Sequence, residues 1–283
     1  MSGYLYTSSS ERQLRRVPRD LLRARELLLD LVWKDLRVRY RYALMGFLWA
    51  VLEPLALTLV LTFVFTYVFG DKVEVFRSGG APPAVVILSG LVFWQFFANA
   101  LNSAAVSLVN SQNLVQKVRF TREVVPLAAL GYPLVNGAIG VVLLLVVQAC
   151  FGVWPGWHAL WAAPLFLVQF TLTAGLALLL SAANVRFRDV SYIVGVATVF
   201  GFYASPVFYR LPMVLESGLP GWARAVYLAN PMAELLAAYR QALLENRAPD
   251  AWLWAWPVAA ALLALAAGVV VFRRGAPTFS DHA

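Results

Sequence analysis

The sequence predicts an all-α polytopic membrane protein with six transmembrane helices, an N-terminal amphipathic surface helix, and a re-entrant helix pair between spans 5 and 6. Three observations carry this. Apolar runs recur from residue 44 to the C-terminal region, each near the ~20 residues a helix needs to cross the hydrocarbon core. Only 13% of the 283 residues are charged, with 61% hydrophobic and a mean hydropathy of +0.70, whereas soluble domains carry about 25% charged residues. Lys and Arg are also unevenly spread. With the N-terminus inside, 17 of the 23 fall in cytoplasmic segments, ten of them ahead of span 1, so both ends are expected in the cytoplasm.

The elements follow in chain order. Residues 1–20 read as a flexible polar tail with no apolar core, so no cleavable signal peptide is expected. An amphipathic helix over about 21–42 comes next. Leu28, Leu29, Val32, Trp33, Leu36 and Tyr40 form its apolar stripe, and Glu26, Asp30, Lys34, Arg37 and Arg41 form its polar one. The charges then stop, and the spans are expected at about 44–69, 84–109, 124–150, 160–183, 190–209 and 251–272, within one domain over 43–274. A short tail, 275–283, ends the chain. Between spans 5 and 6, Asn230-Pro231 divides an apolar helical stretch into two pieces too short to span, because proline removes a backbone donor and pushes the preceding residue out of the helical region.

Catalysis has little to work with. The expected spans hold no Asp, Lys or His, no paired carboxylates and no Ser-His-Asp set. No Gly-rich Walker loop occurs, and the single cysteine, Cys150, makes neither a disulfide framework nor a thiolate metal site. No metal or cofactor is expected in this chain, and it is not read as an enzyme. The net charge of +8 reads as a basic cytoplasmic face rather than a nucleic-acid footprint.

Four groups of residues remain as candidates. Glu53, beside the helix-kinking Pro54, is the one ionisable group within the spans; it pairs with an interfacial Arg or acts in a gate. Gln95, Asn99 and Asn102 share one face of span 2, either to hydrogen-bond a neighbouring helix or to line a polar path. Aromatics crowd spans 1, 2 and 5, among them Phe63, Tyr67, Phe93, Phe97, Phe200 and Tyr203, as a lipid-facing belt or as inward rings on which sugars stack. The break from Leu114 to Pro126 offers Lys117, Arg119, Phe120, Arg122 and Glu123, as a solvated loop or a docking element for a soluble partner.

Taken together, the chain resembles the membrane subunit of ABC exporters for polysaccharides and polyol phosphates, the O-antigen, capsule and teichoic acid permeases. The resemblance covers essentially the whole chain. It rests on Lys34-Asp35-Leu36-Arg37-Val38-Arg39-Tyr40 leading into Gly46-Phe47-Leu48-Trp49 and Glu53-Pro54, and on Phe120-Thr121-Arg122-Glu123-Val124-Val125-Pro126. Asn184-Val185-Arg186-Phe187-Arg188-Asp189-Val190 and Asn230-Pro231-Met232 with Arg240 downstream complete it. Thr121 departs from the proline usual in the family.

The resemblance implies a homodimer in the bacterial inner membrane, bound to two copies of a separate ATPase that holds the ATP and Mg. Lys34, Arg37, Arg41 and the 114–123 element would form the coupling surface, with Glu53-Pro54 as the gate. Asn230, Pro231 and Arg240 would shape the outer end of a channel for a lipid-linked glycan. A related permease for a drug, antibiotic or lipid is the alternative.

Overall fold

The computed structural model describes residues 25–41, 48–68, 80–112 and 121–276. The expected N-terminal tail, Gly46-Phe47 of the first motif, Lys117, Arg119, Phe120 and the chain beyond 276 lie outside the described residues. Among the described residues every regular element is a helix. In order they are α1 (Arg25–Arg41), α2 (Trp49–Phe63, prolonged by a π-helical turn Val64–Val68), α3 (Pro83–Asn110), the short α4 (Val124–Ala128) and α5 (Gly131–Cys150). A 3-10 turn (Trp157–Trp161) leads into α6 (Ala162–Arg186), followed by α7 (Val190–Tyr203), α8 (Leu211–Glu216), α9 (Gly221–Leu228), α10 (Pro231–Leu243) and α11 (Trp252–Gly275).

Five segments are long and apolar enough to cross a membrane: Trp49–Val68, Pro83–Asn110, Val124–Cys150, Trp157–Arg186 and Trp252–Gly275. The fifth expected span, 190–209, differs. Its helix α7 has 14 residues, about 21 Å at 1.5 Å per residue, short of the ~30 Å hydrocarbon core. The reason is local. Pro206 disfavours helical geometry at Ser205, and the chain leaves the helix over 204–210. Proline also starts elements here: Pro83, Pro212 and Pro231 each sit in the first helical turn, where a missing N–H costs nothing. Asn230 caps α10, its side chain accepting from the Met232 backbone N–H at 3.1 Å.

Helix α3 is the centre of the bundle. Every residue from Val85 to Trp94 is buried, and α2, α5, α6, α7 and α10 all pack against it. A helix apolar on all sides needs such surroundings. The closest pairing is α6 with α11, and glycine permits it. A Cβ on Gly175 would stand 2.3 Å from the Leu265 backbone N, and one on Gly268 would stand 2.2 Å from the Gly175 carbonyl.

The two ends of the bundle differ. At one, Leu31 of α1 packs into a cluster with Val125, Val185 and Phe272, so α1 and the end of α11 share a face. At the other, His158 meets Asn246 at 3.2 Å. The chain leaves the first end beside Asn184, which accepts from the Ser191 N–H at 3.0 Å. By Val207 it has reached the first turns of α3, where that carbonyl lies against Gly90.

Gly175→Leu or Gly268→Val is expected to lower the thermal-unfolding midpoint of the solubilised protein, at a cost of at least about 1–3 kcal/mol from overpacking. Gly221→Ala, where a Cβ meets nothing within 4 Å, should leave the midpoint unchanged.

Candidate functional site

The candidate site begins where the surface helix meets the bundle. Leu28, Leu31, Val32, Leu36 and Tyr40 are half-buried on one side of α1, and Leu29 and Trp33 of the same apolar stripe are exposed. The stripe thus divides between a protein-facing row and a second, outward row suited to a membrane interface. Lys34, Arg37 and Arg41 are exposed. Burial pushes the Asp35 carboxyl above its ordinary range, with Lys34 and Arg39 opposing the shift.

The helix docks on the start of α5. A Cβ at Gly131 would stand 2.4 Å from the Val32 side chain, so only glycine lets α1 approach this closely. Tyr40 donates its hydroxyl to Asn136 Oδ1 at 2.6 Å, and the Arg39 guanidinium lies 4.0 Å from the Tyr132 ring centre. Nearby, Arg122 donates to the Ala276 carbonyl, and Arg273 Nε donates to Glu123 Oε1 at 3.2 Å. The described part of the proposed docking element is therefore fastened to the last helix.

Asn136 continues inward. With Gln95, Asn99, Glu53 and Pro54 it lines a small crevice between α2, α3 and α5. Pro54 is buried inside the helix, and its carbonyl accepts from the Thr58 hydroxyl one turn on at 2.7 Å. Glu53 is exposed and also faces the other way, into a groove of about 1330 Å³ along α2. That is larger than a drug-sized pocket of about 300–1,000 Å³. Trp49, Phe63, Tyr67 and Phe151 line it with Glu53.

The other named residues separate in space. Phe63 and Tyr67 are exposed with ring centres 5.2 Å apart, and Phe200 and Tyr203 are exposed on α7. Phe97 is half-buried beside Trp94, 5.6 Å away. Phe93 differs from the expected channel position: its ring is 4% exposed and stacks on Tyr239 at 3.6 Å, inside the protomer. Asn102 donates to Thr198 Oγ1 at 3.1 Å, a helix–helix bond between α3 and α7. Asn230, besides capping α10, donates to Ser205 Oγ at 2.8 Å, and Pro231 opens the helix. Arg240 is buried and donates to the carbonyls of Tyr209, Val207 and Val86.

Sequence reasoning passed over two buried glutamines and Asn136. Gln169 donates to the Phe93 carbonyl at 2.7 Å and accepts from Tyr239 Oη at 2.9 Å. Gln148 donates to the Leu243 carbonyl at 3.1 Å. The signal was available: a lone amide in an apolar span needs a partner.

Comparison with known proteins adds a family to this geometry. Residues 26–244 match the model described as "ABC-2 type transporter". The chain is 34% identical over 237 residues to the O-antigen export system permease protein RfbA of Myxococcus xanthus, covering 83% of this chain and 87% of that protein. It is 26% identical over 222 residues to the protein of that name from Klebsiella pneumoniae, covering 78% and 81%.

Tyr40→Phe and Asn136→Ala should prove non-additive in a double-mutant cycle read by thermal unfolding. The expected coupling is about 1 kcal/mol, the net worth of one hydrogen bond. Additive effects would detach α1 from α5 at this point.

Proposed function

Because the chain belongs to the ABC-2 type transporter family, we propose that it is the permease subunit of an ATP-driven exporter that moves a lipid-linked polysaccharide across the bacterial inner membrane. The observation that carries this reading is the likeness, over most of both chains, to permeases named for O-antigen export. O-antigen-like, capsular and teichoic acid-like polymers are the substrate class.

In this reading the chain crosses six times with both termini in the cytoplasm. α7 and residues 204–209 supply the remaining crossing. The supporting observation is that the chain starts beside Asn184 at the end that carries α1 and reaches the opposite end of α3 by Val207. Helices α9 and α10, of 8 and 13 residues, are the re-entrant pair on the outer side, each too short to span.

Two copies enclose the channel. Support comes from the sparse packing of α2 and α7: α2 buries Ala50, Pro54 and Thr58, and α7 buries Val194 and Thr198, leaving Phe63, Tyr67, Phe200 and Tyr203 bare. Exposed rings give successive sugars a flat apolar face, and Phe97, Gln95 and Asn99 belong to the same wall. Phe93 has no part in it.

Two copies of a separate ATPase, which binds the ATP and Mg, dock on Lys34, Arg37 and Arg41 and on the element carrying Lys117, Arg119, Phe120, Arg122 and Glu123. Closure of its sites moves α1, and the motion enters the bundle at α5 and the Glu53–Pro54 crevice.

Deleting the chain should remove the polymer from the cell surface while the lipid-linked precursor accumulates inside; normal surface polymer would overturn the reading. Phe120→Ala should lower substrate-stimulated ATP hydrolysis by at least about fivefold, the lower end of typical coupling energies, with the complex still assembled. Tyr67→Ala combined with Tyr203→Ala should shorten or abolish the exported polymer, read on gels of surface glycan.

A further inference from the structure

We propose that the groove along α2, in its half nearer α1, receives the first turns of α7 from a second copy of the chain, with Arg188 of that copy closing on Glu53. The inference rests on the proposed function only in taking two copies side by side. It names the surfaces by which they meet.

The groove carries a single charge. Glu53 stands on it among Leu52, Leu55, Ala56, Leu59 and Val60. Its carboxylate is exposed and has no ion-pair or hydrogen-bond partner among the described residues. An ionised group within a membrane-spanning helix needs a partner or water, and aliphatic neighbours supply neither. The groove also has the length of a helix face: from Trp49 to Tyr67 the chain rises about 27 Å at 1.5 Å per residue.

A matching surface lies on α7. Tyr192, Ile193, Val196 and Val199 fall at helical spacing and are exposed, Tyr192 by 77%. At the head of this row Asn184 fixes the turn between α6 and α7 by accepting the Ser191 N–H at 3.0 Å. The turn holds out Arg186, Phe187, Arg188 and Asp189, all exposed. The Arg186 guanidinium lies 5.4 Å from the Phe187 ring centre. Neither arginine, nor Asp189, has an ion-pair partner among the described residues. Two guanidiniums against one carboxylate leave the turn with one positive charge, and the groove has one negative charge to meet it.

The two charges lie toward the same end of the bundle. Glu53 and Pro54 share their crevice with Pro133 and Asn136 at the start of α5, where α1 docks. Val185, just ahead of the turn, packs in one cluster with Leu31 of α1. Helices α2 and α7 therefore both start at the α1 end, and set side by side in parallel they bring Arg188 toward Glu53. A two-fold axis repeats the contact, so each copy gives one α7 and receives one.

Lipid is the competing cover, and two features oppose it. Tails would leave Glu53 unpaired. Helix α7 also stops about 21 Å from its start, inside a ~30 Å hydrocarbon core, and the exposed Ala204 begins irregular backbone there. Such backbone is tolerated at that depth against protein or a watery cavity, not against lipid. Phe63, Tyr67, Phe200 and Tyr203 lie beyond the contact, toward the far ends of both helices, and stay free for the channel.

The test uses the full chain in cell membranes, with Cys150→Ser as the background. Leu59→Cys combined with Val196→Cys should give a covalent dimer on mild oxidation, read on non-reducing gels, and either alone should give little. No dimer from the pair, or equal yield from Val196→Cys alone, would overturn the proposal. Glu53→Arg or Arg188→Glu should each lower that cross-link yield by about tenfold or more, as breaking a covered charge pair does. Both together should restore it; single reversals without effect, or no recovery in the combination, would remove the pairing. Failure of the export reading appears separately, as normal surface polymer in cells lacking the chain.

Discussion

A backbone that leaves the helix inside an apolar bundle must find new partners for its carbonyls, since each unsatisfied group there costs several kcal/mol. Over 204–210 this chain does so, and Arg240 is the answer. Its guanidinium reaches the carbonyls of Val207 and Tyr209 and, across the bundle, that of Val86. Gly90 makes the meeting physical, because a Cβ there would stand 2.1 Å from the Val207 oxygen. Phe93, about one turn beyond Gly90, stacks on Tyr239, the neighbour of Arg240, and Tyr239 is tied through Gln169 back to the Phe93 carbonyl. Helices α3, α6 and α10 and the broken segment are thereby fastened at a single locus. Remove the guanidinium and four elements lose their common point.

The other end is held by weaker means. Helix α1 has no buried residue, and its contacts with the bundle include half-buried side chains, the Tyr40 hydroxyl and the Arg39–Tyr132 cation–π contact. The Arg273–Glu123 pair, at 3.2 Å, ties the last helix to the start of α4. A stiff end clamped by a buried arginine and a looser end clamped from outside is the asymmetry that a lever needs. The route inward also differs from what sequence order suggests. Covalently, α1 leads to α2, yet its described contacts run to α4, where Leu31 meets Val125, and to α5 through Gly131, Tyr132 and Asn136. The proposed stroke therefore reaches Glu53 and Pro54 across a packed interface as well as along the chain.

Much of this was legible in the residues, and the rest was not for identifiable reasons. Hydropathy located the apolar segments to within a few residues, because twenty apolar residues have few other uses. Within the expected fifth span the helix ends at Tyr203, since Pro206 interrupts a stretch whose composition stays apolar on both sides. Side-chain direction was the harder problem. Phe93 and Phe97 lie four apart, yet the first is stacked inside the protomer and the second only half-buried. Gly90, Gly131 and Gly175 matter through the atoms that approach them, which no spacing rule encodes. Arg240 could be singled out by its motif, but its acceptors lie more than thirty residues away in sequence.

Glu53 draws these threads together. It is exposed on a groove whose other walls are almost wholly apolar. Glu53 lies about one turn into the segment Trp49–Val68, where a carboxylate facing lipid is still disfavoured unless water or protein meets it. Lipid tails filling that groove would impose the cost on every copy of the protein, whereas water or a second protein surface would remove it. Behind Glu53 lies the separate small crevice, where Gln95, Asn99 and Asn136 surround Pro54. The aromatics of α2 extend the same face, as those of α7 would from a facing copy. Most of the groove is aliphatic, with Trp49, Phe63, Tyr67 and Phe151 among Leu, Val and Ala side chains, and Glu53 is the one charged group on it. The carboxylate of Glu53 is therefore best served by water or a covering protein surface at the start of α2, which a second copy in the proposed channel would supply.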